Sequence, residues 1–135
     1  MGTHSLIIMR TKDKEGKYTI WCIIYQEYDG HIGGVGKKLV EFLNKIKLTN
    51  SIPFGVDISN IANGAGCLFA QMISYFKIGI GGCYIIPSEN YKEEEYNYYV
   101  DINFDLTINI IIKHGNNIMY QGNINTALQF LEKNQ

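Results

Sequence analysis

Residues 5–25 read SLIIMRTKDKEGKYTIWCIIY. Ser5 to Met9 is almost wholly apolar, Thr11-Lys12-Asp13-Lys14-Glu15-Gly16 is polar and ends in glycine, and Tyr18 to Tyr25 returns to β-branched and aromatic residues. Two β-prone runs around a polar turn define a hairpin. Both runs are continuous rather than alternating. Their strands are therefore expected within a sheet, covered on at least part of both faces, with neither at an exposed edge.

Beyond Tyr28-Asp29-Gly30 the period changes. Val35, Leu39, Phe42, Leu43 and Ile46 recur at helical spacing, with Lys37, Lys38, Glu41, Lys45 and Lys47 on the remaining face. This predicts an amphipathic helix whose Lys37, Glu41 and Lys45 are spaced for i,i+4 pairs on a solvated side. Thr49 to Asp57 holds Pro53 and Gly55 and reads as a loop. A second helix follows, with Ala65, Leu68, Phe69, Met72, Ile73 and Phe76 on one face, and is expected to be the most buried element.

Gly79, Gly81 and Gly82 break that helix, Cys83 to Ile86 forms a short strand closed by Pro87, and Ser88 to Glu95 is expected as an exposed loop. Strands are predicted over Tyr96 to Phe104, Thr107 to Lys113 and Ile118 to Gln121, the last two joined by the hairpin signal His114-Gly115-Asn116-Asn117. A short terminal helix, Thr126 to Glu132, is capped by Asn125 or Asn123. The order predicts a single α+β domain over residues 1–135: a mostly antiparallel sheet of about six strands, two main helices packed on one face, and a short C-terminal helix. Alternating βαβ units are absent, which argues against a doubly wound parallel sheet.

Composition narrows the function classes. At 135 residues, 46% hydrophobic and 19% charged, the chain suits one globular core and not a disordered or collagen-like polymer. A net charge of −1 provides no global basic field for a nucleic acid backbone, so no long nucleic acid is expected as partner. Cys22, Cys67 and Cys83 are odd in number and widely spaced, which suits reduced core thiols in a cytoplasmic protein. Met1 to Arg10 does not read as a secretory leader, and no apolar run approaches the ~18 residues of a membrane span. His4 and His114 stand alone and match no metal-ligand spacing, so neither metal nor cofactor is expected.

Two glycine-rich turns, each opening a helix, are the candidate sites. In Asp29-Gly30-His31-Ile32-Gly33-Gly34-Val35-Gly36-Lys37-Lys38, successive amides and a helix N-terminus form a place where phosphate could dock. It matches neither the phosphate loop of nucleotide triphosphatases nor the dinucleotide-binding fingerprint. The bland alternative is a tight crossing with Asp29 as a cap. The second turn, Asp57-Ile58-Ser59-Asn60-Ile61-Ala62-Asn63-Gly64-Ala65-Gly66-Cys67, offers Asn63 or Asn60 as a cap and small residues for close approach of a ligand or of the sheet. Tyr25, Gln26 and Tyr28 end the second strand, where they could stack on a base and read its polar edge, or simply sit on the sheet surface. An Asp29–His31 dyad would still need a nucleophile from elsewhere.

Met1-Gly2-Thr3, Tyr25 to Gly30 leading into Gly36 and the Leu39–Leu43 helix, and Ala62-Asn63-Gly64-Ala65-Gly66-Cys67-Leu68 with Ala70-Gln71 together carry a resemblance. The chain resembles a group of small uncharacterised proteins of bacteriophages, bacteria and large DNA viruses that open Met-Gly-Thr-Arg and carry Asp-Gly-Tyr-Pro-x-Gly. His4 replaces that arginine and His31-Ile32 replaces Tyr-Pro, so no role of those residues carries over. The resemblance implies one compact domain and a phage or viral setting, and it groups Asp29, Gly30, Asn63, Gly64 and Gly66.

These readings lead to a non-enzymatic binding module for a small anionic or nucleotide-like ligand; in a viral setting, one that sequesters a nucleotide signal of host defence in the host cytoplasm. The expected site takes Tyr25, Tyr28, Asp29, Gly30, Gly33, Gly34, Gly36 and Lys37 from the first turn and its approach, and Asn63, Gly64, Gly66 and Gln71 from the second. Lys37 or Lys38 would supply charge. The alternatives are a structural module forming a homo-oligomer through a strand edge or the strand Tyr96 to Phe104, and a small hydrolase.

Overall fold

In the computed structural model, which describes residues 2–51 and 60–134, the hairpin pairs as expected: β1 (Ser5–Lys12) lies antiparallel to β2 (Tyr18–Gln26), with a register shift between Met9 and Arg10. Then come a π-helical turn (Ile32–Gly36), α1 (Lys37–Lys45), β3 (Lys47–Thr49), β4 (Ile61–Asn63) and α2 (Gly64–Phe76). The chain continues through β5 (Cys83–Ile86), β6 (Tyr96–Asn103), β7 (Ile108–His114) and β8 (Asn117–Asn123) to α3 (Ile124–Asn134). The fold is α+β, with a six-stranded sheet in the order β5-β2-β1-β6-β7-β8.

The sheet is mostly antiparallel but mixed, because β1 and β6 pair in parallel at its centre. A second, two-stranded sheet joins β3 and β4, also in parallel. Three-residue strands are too short to show a period, so this region read as loop and helix approach. Asp57, Ile58 and Ser59 of the second turn, and most of the loop expected over 49–57, lie outside the described residues.

Ile7, Met9, Ile24, Tyr98 and Ile110 point to one face of the large sheet and form a single core with Leu39 and Leu43 of α1, Leu68 and Met72 of α2, and Ala127 and Leu131 of α3. Alternation sends Leu6, Ile8, Ile23 and Tyr99 to the opposite face, where they form a second buried cluster. β1 is buried on both sides, as its continuous apolar run requires. By contrast α2 is not the most buried element: Cys67, Ala70, Ser74 and Tyr75 are exposed along it, and Cys67 is a surface thiol rather than a core one. The charged stripe of α1 is solvated, but none of the ion pairs among the described residues joins Lys37, Glu41 and Lys45. Asn123, one of the two expected caps of α3, accepts the Asn125 amide at 2.7 Å.

The second face is closed partly by the segment before β6. Tyr91 packs on it and its hydroxyl lies 3.1 Å from that of Tyr99, so the expected exposed loop Ser88 to Glu95 contributes a cover to the sheet. Arg10 donates two hydrogen bonds to Asp101, at 2.6 and 2.9 Å, with its guanidinium over the rings of Tyr18 and Tyr99. Glu93 accepts from Tyr99 and from Lys113. Burial by itself raises the Glu93 carboxyl, but those hydrogen bonds and the Lys113 charge outweigh it and hold the group below its ordinary 4.5. A carboxyl lowered by folding stabilises the fold above its unfolded value, and that contribution disappears as pH falls through the lowered one. Glu93→Gln is therefore expected to reduce the melting temperature near neutrality and to flatten its decline below about pH 4.5. Parallel melting curves for the two proteins across that range would contradict the assignment.

Candidate functional site

At the end of β2 the chain makes a tight crossing under strong steric demand. Asp29 takes a left-handed φ of 57°, and its carbonyl accepts the Val35 amide at 2.7 Å. The His31 carbonyl takes the amides of Gly34 and Gly36 at 3.0 and 3.3 Å. Gly30 donates to the Thr3 carbonyl at 2.8 Å and receives the buried Tyr98 hydroxyl on its own carbonyl at 2.7 Å. Glycine is needed because other groups occupy the space. A Cβ on Gly30 would stand 2.7 Å from the Ser5 Cβ, one on Gly36 3.1 Å from the Tyr98 hydroxyl, and one on Gly34 would collide with the Asp29 carbonyl oxygen. Gly33 differs: it is exposed, with the His31 ring 3.5 Å from where its Cβ would be.

Most amides of the first turn are thus engaged by the protein's own carbonyls. Ile32 and Gly33 precede those bonds, and His31 gives the helix start no side-chain cap. Anion-accepting capacity here is narrower than the glycine count implies. Asp29 acts through its backbone, not as a side-chain cap.

Beside this turn lies a cavity of about 440 Å³. One wall is the crossing itself, with Tyr28, Asp29, His31, Gly33, Gly34 and Lys38; the other is the end of α2 and its exit, Phe76, Ile78, Gly81 and Gly82. Gln26 and Cys83, paired across β2 and β5, complete it. Lys77 fixes the exit by donating to the carbonyls of Gly81 (3.2 Å) and Cys83 (2.8 Å), and Gly82 accepts the Glu27 amide at 2.8 Å. The volume falls in the range of small-molecule sites, roughly 300–1,000 Å³.

The second turn is elsewhere. Asn63, Gly64 and Gly66 open α2 and do not line the cavity, which receives the other end of that helix, about 18 Å away at 1.5 Å per residue. Gly64 supplies a φ of +82° where the chain enters the helix, and Asn63 makes no side-chain cap. Gly66 faces the Trp21 ring, 3.2 Å from where a Cβ would be. Gln71 donates to the Ile61 carbonyl at 3.0 Å and so ties α2 to β4. The structure therefore does not bring the described residues of the two turns together, and of the second turn's glycines it accounts for Gly64 by its positive φ and for Gly66 by contact with Trp21.

Of the remaining expected residues, Gly30 and Gly36 are buried supports of the crossing, and Lys37 is exposed and does not line the cavity while Lys38 does. Tyr25 lies on the other sheet face, edge-on to His4 at 5.5 Å. Asp29 and His31 share no hydrogen bond or ion pair among those described. Burial raises the Cys83 thiol, with Lys77 only partly opposing it, so Cys83 is held as a neutral thiol rather than a nucleophilic thiolate. Phe76, Ile78, Gly81 and Gly82 were missed as site residues; their glycines had read only as a helix break.

Among the described residues, no helix is long and apolar enough to cross a membrane, and no group of three or more His, Cys, Asp or Glu residues is placed to hold a metal ion. No family model, curated protein or solved structure matches the chain.

Proposed function

We propose that this protein is a non-enzymatic binding module whose cavity beside the Asp29–Lys38 crossing holds a small anionic, nucleotide-like ligand. The observation that carries the reading is the convergence of complementary groups on one 440 Å³ space. Lys38 supplies a cation next to the first amides of a helix, which suits a phosphate. Asp29 provides a carboxylate of the kind that receives sugar hydroxyls, and Phe76 and Tyr28 provide aromatic surface for a base. The free thiols suit the cytoplasm. In the viral setting that the resemblance implies, that would be the host cytoplasm and the ligand a nucleotide signal of host defence.

Calorimetric titration with inorganic phosphate and a panel of nucleotides tests the reading. Lys38→Glu is expected to weaken phosphate-bearing ligands about tenfold or more, because it puts a like charge beside the anion. Lys38→Arg should retain binding. If no compound produced heat or raised the melting temperature of the wild-type protein, the binding reading would be lost.

Self-association is a second reading, and of the two surfaces expected for it a strand edge is the one that suits it. Tyr96–Asn103 is interior to the sheet and almost wholly buried, so it cannot pair with another copy. The edge strand β5 carries exposed Tyr84 and Ile85, with Ile78 and Ile80 exposed just before it. Light scattering separates the two readings, since a monomer at all accessible concentrations excludes the second.

A further inference from the structure

β5 stands at the end of the large sheet, and among the described residues no strand pairs with its outer side. The Glu27 amide donates to the Gly82 carbonyl, so the ladder to β2 continues at alternate pairs, Tyr25 with Tyr84 and Ile23 with Ile86. The amides and carbonyls of Cys83 and Ile85 therefore turn outward. Such a row is a template on which another chain can add a strand. Its surroundings favour that addition, because Tyr84 and Ile85 are exposed on the strand and Ile78 and Ile80 just before it.

Two features oppose it. Pro87 follows the strand and has no amide to give. Lys77 closes the other end. Gly79, Gly81 and Gly82 all take left-handed φ values, of 66°, 77° and 75°, and turn the chain back after α2. The Lys77 ammonium thereby reaches the outward carbonyl of Cys83 at 2.8 Å and that of Gly81 at 3.2 Å. No carboxylate pairs with Lys77 among the described residues, so these carbonyls hold its charge. Ile85 is left between a blocked carbonyl and a proline. At the opposite end of the sheet β8 is interrupted in another way, by its register shift.

We infer that Lys77 guards the β5 edge: its ammonium occupies the carbonyl an incoming strand would need, and so keeps a second copy of this chain from adding to the sheet. The guard requires no ligand. It is also opposed to the self-association reading, which needs this edge open in the wild-type protein.

Lys77→Met keeps the packing of the stem and removes the ammonium. Light scattering over a concentration series should show monomers for the wild type and for Lys77→Arg, which retains donors. Lys77→Met is expected to show an about twofold rise in mean mass, as two copies pair. Adding Ile85→Pro, which deletes the outward amide in the middle of the strand, should return that variant to a monomer. Should Lys77→Met fail to fold, judged by its near-ultraviolet circular dichroism, Lys77→Gln, shorter and uncharged, takes its place. A folded variant that stays monomeric, or an association that survives Ile85→Pro, would overturn the guard. So would a wild-type oligomer that Ile85→Pro dissolves, and that result would support self-association instead. None of these outcomes decides whether phosphate binds at Lys38.

Discussion

Gly34→Ala is expected to destabilise the protein by about 3 kcal/mol or more, a fall of roughly 10 °C in melting temperature for a chain of this size. The new methyl group would overlap the Asp29 carbonyl oxygen, which is backbone and is already bonded to the Val35 amide at 2.7 Å. Neither group can yield independently. Asp29 is held at a left-handed φ of 57°, and Gly30 next to it is tied to Thr3 and Tyr98. Relief therefore requires the whole crossing to move, and the cavity wall moves with it. Gly33→Ala serves as the control: its added methyl group would meet the His31 ring only at ordinary van der Waals distance, and the change should stay within about 0.5 kcal/mol. Equal melting temperatures for the two variants would show that the crossing is not the rigid element described.

The second large effect is expected on the opposite sheet face. Arg10→Leu should cost about 3–5 kcal/mol, because it leaves the Asp101 carboxylate, with only 4% of its side chain exposed, without its partner. It also removes the cation from the rings of Tyr18 and Tyr99. The double variant Arg10→Leu/Asp101→Leu should recover most of the loss, since it removes both charges together. Denaturant unfolding of the wild type, both single variants and the double variant measures the coupling. If the double variant were as unstable as the sum of the singles, the two residues would be acting separately and the buried pair would not be the cause.

Local chemistry was legible where a residue pattern answers to one cause. The hairpin, the doubly covered β1, the His114–Asn117 turn and the Asn123 cap all follow from period, turn residues and capping rules. Choice of partner was not legible. Nothing in the runs around Ile7 and Tyr98 says that they lie side by side in parallel, because pairing is decided by which strands remain to cover a shared core. At the candidate site, glycine density marked the crossing but for a different reason. It signalled crowding by Ser5, Tyr98 and Asp29 more than a need for open amides. The second turn showed the same density and served only α2 entry and contact with Trp21.

The central pairing of β1 with β6 also governs how this molecule is made. Arg10 and Asp101 are 91 positions apart, so a nascent chain emerging from the ribosome displays the first hairpin long before the strand that belongs beside it has been synthesised. Until then the inner edge of β1 is an open template, and loop closure over that separation is the slow entropic step. Productive folding is therefore expected to wait until β6 has been made, and the early hairpin is the segment for which a chaperone would have most reason to wait.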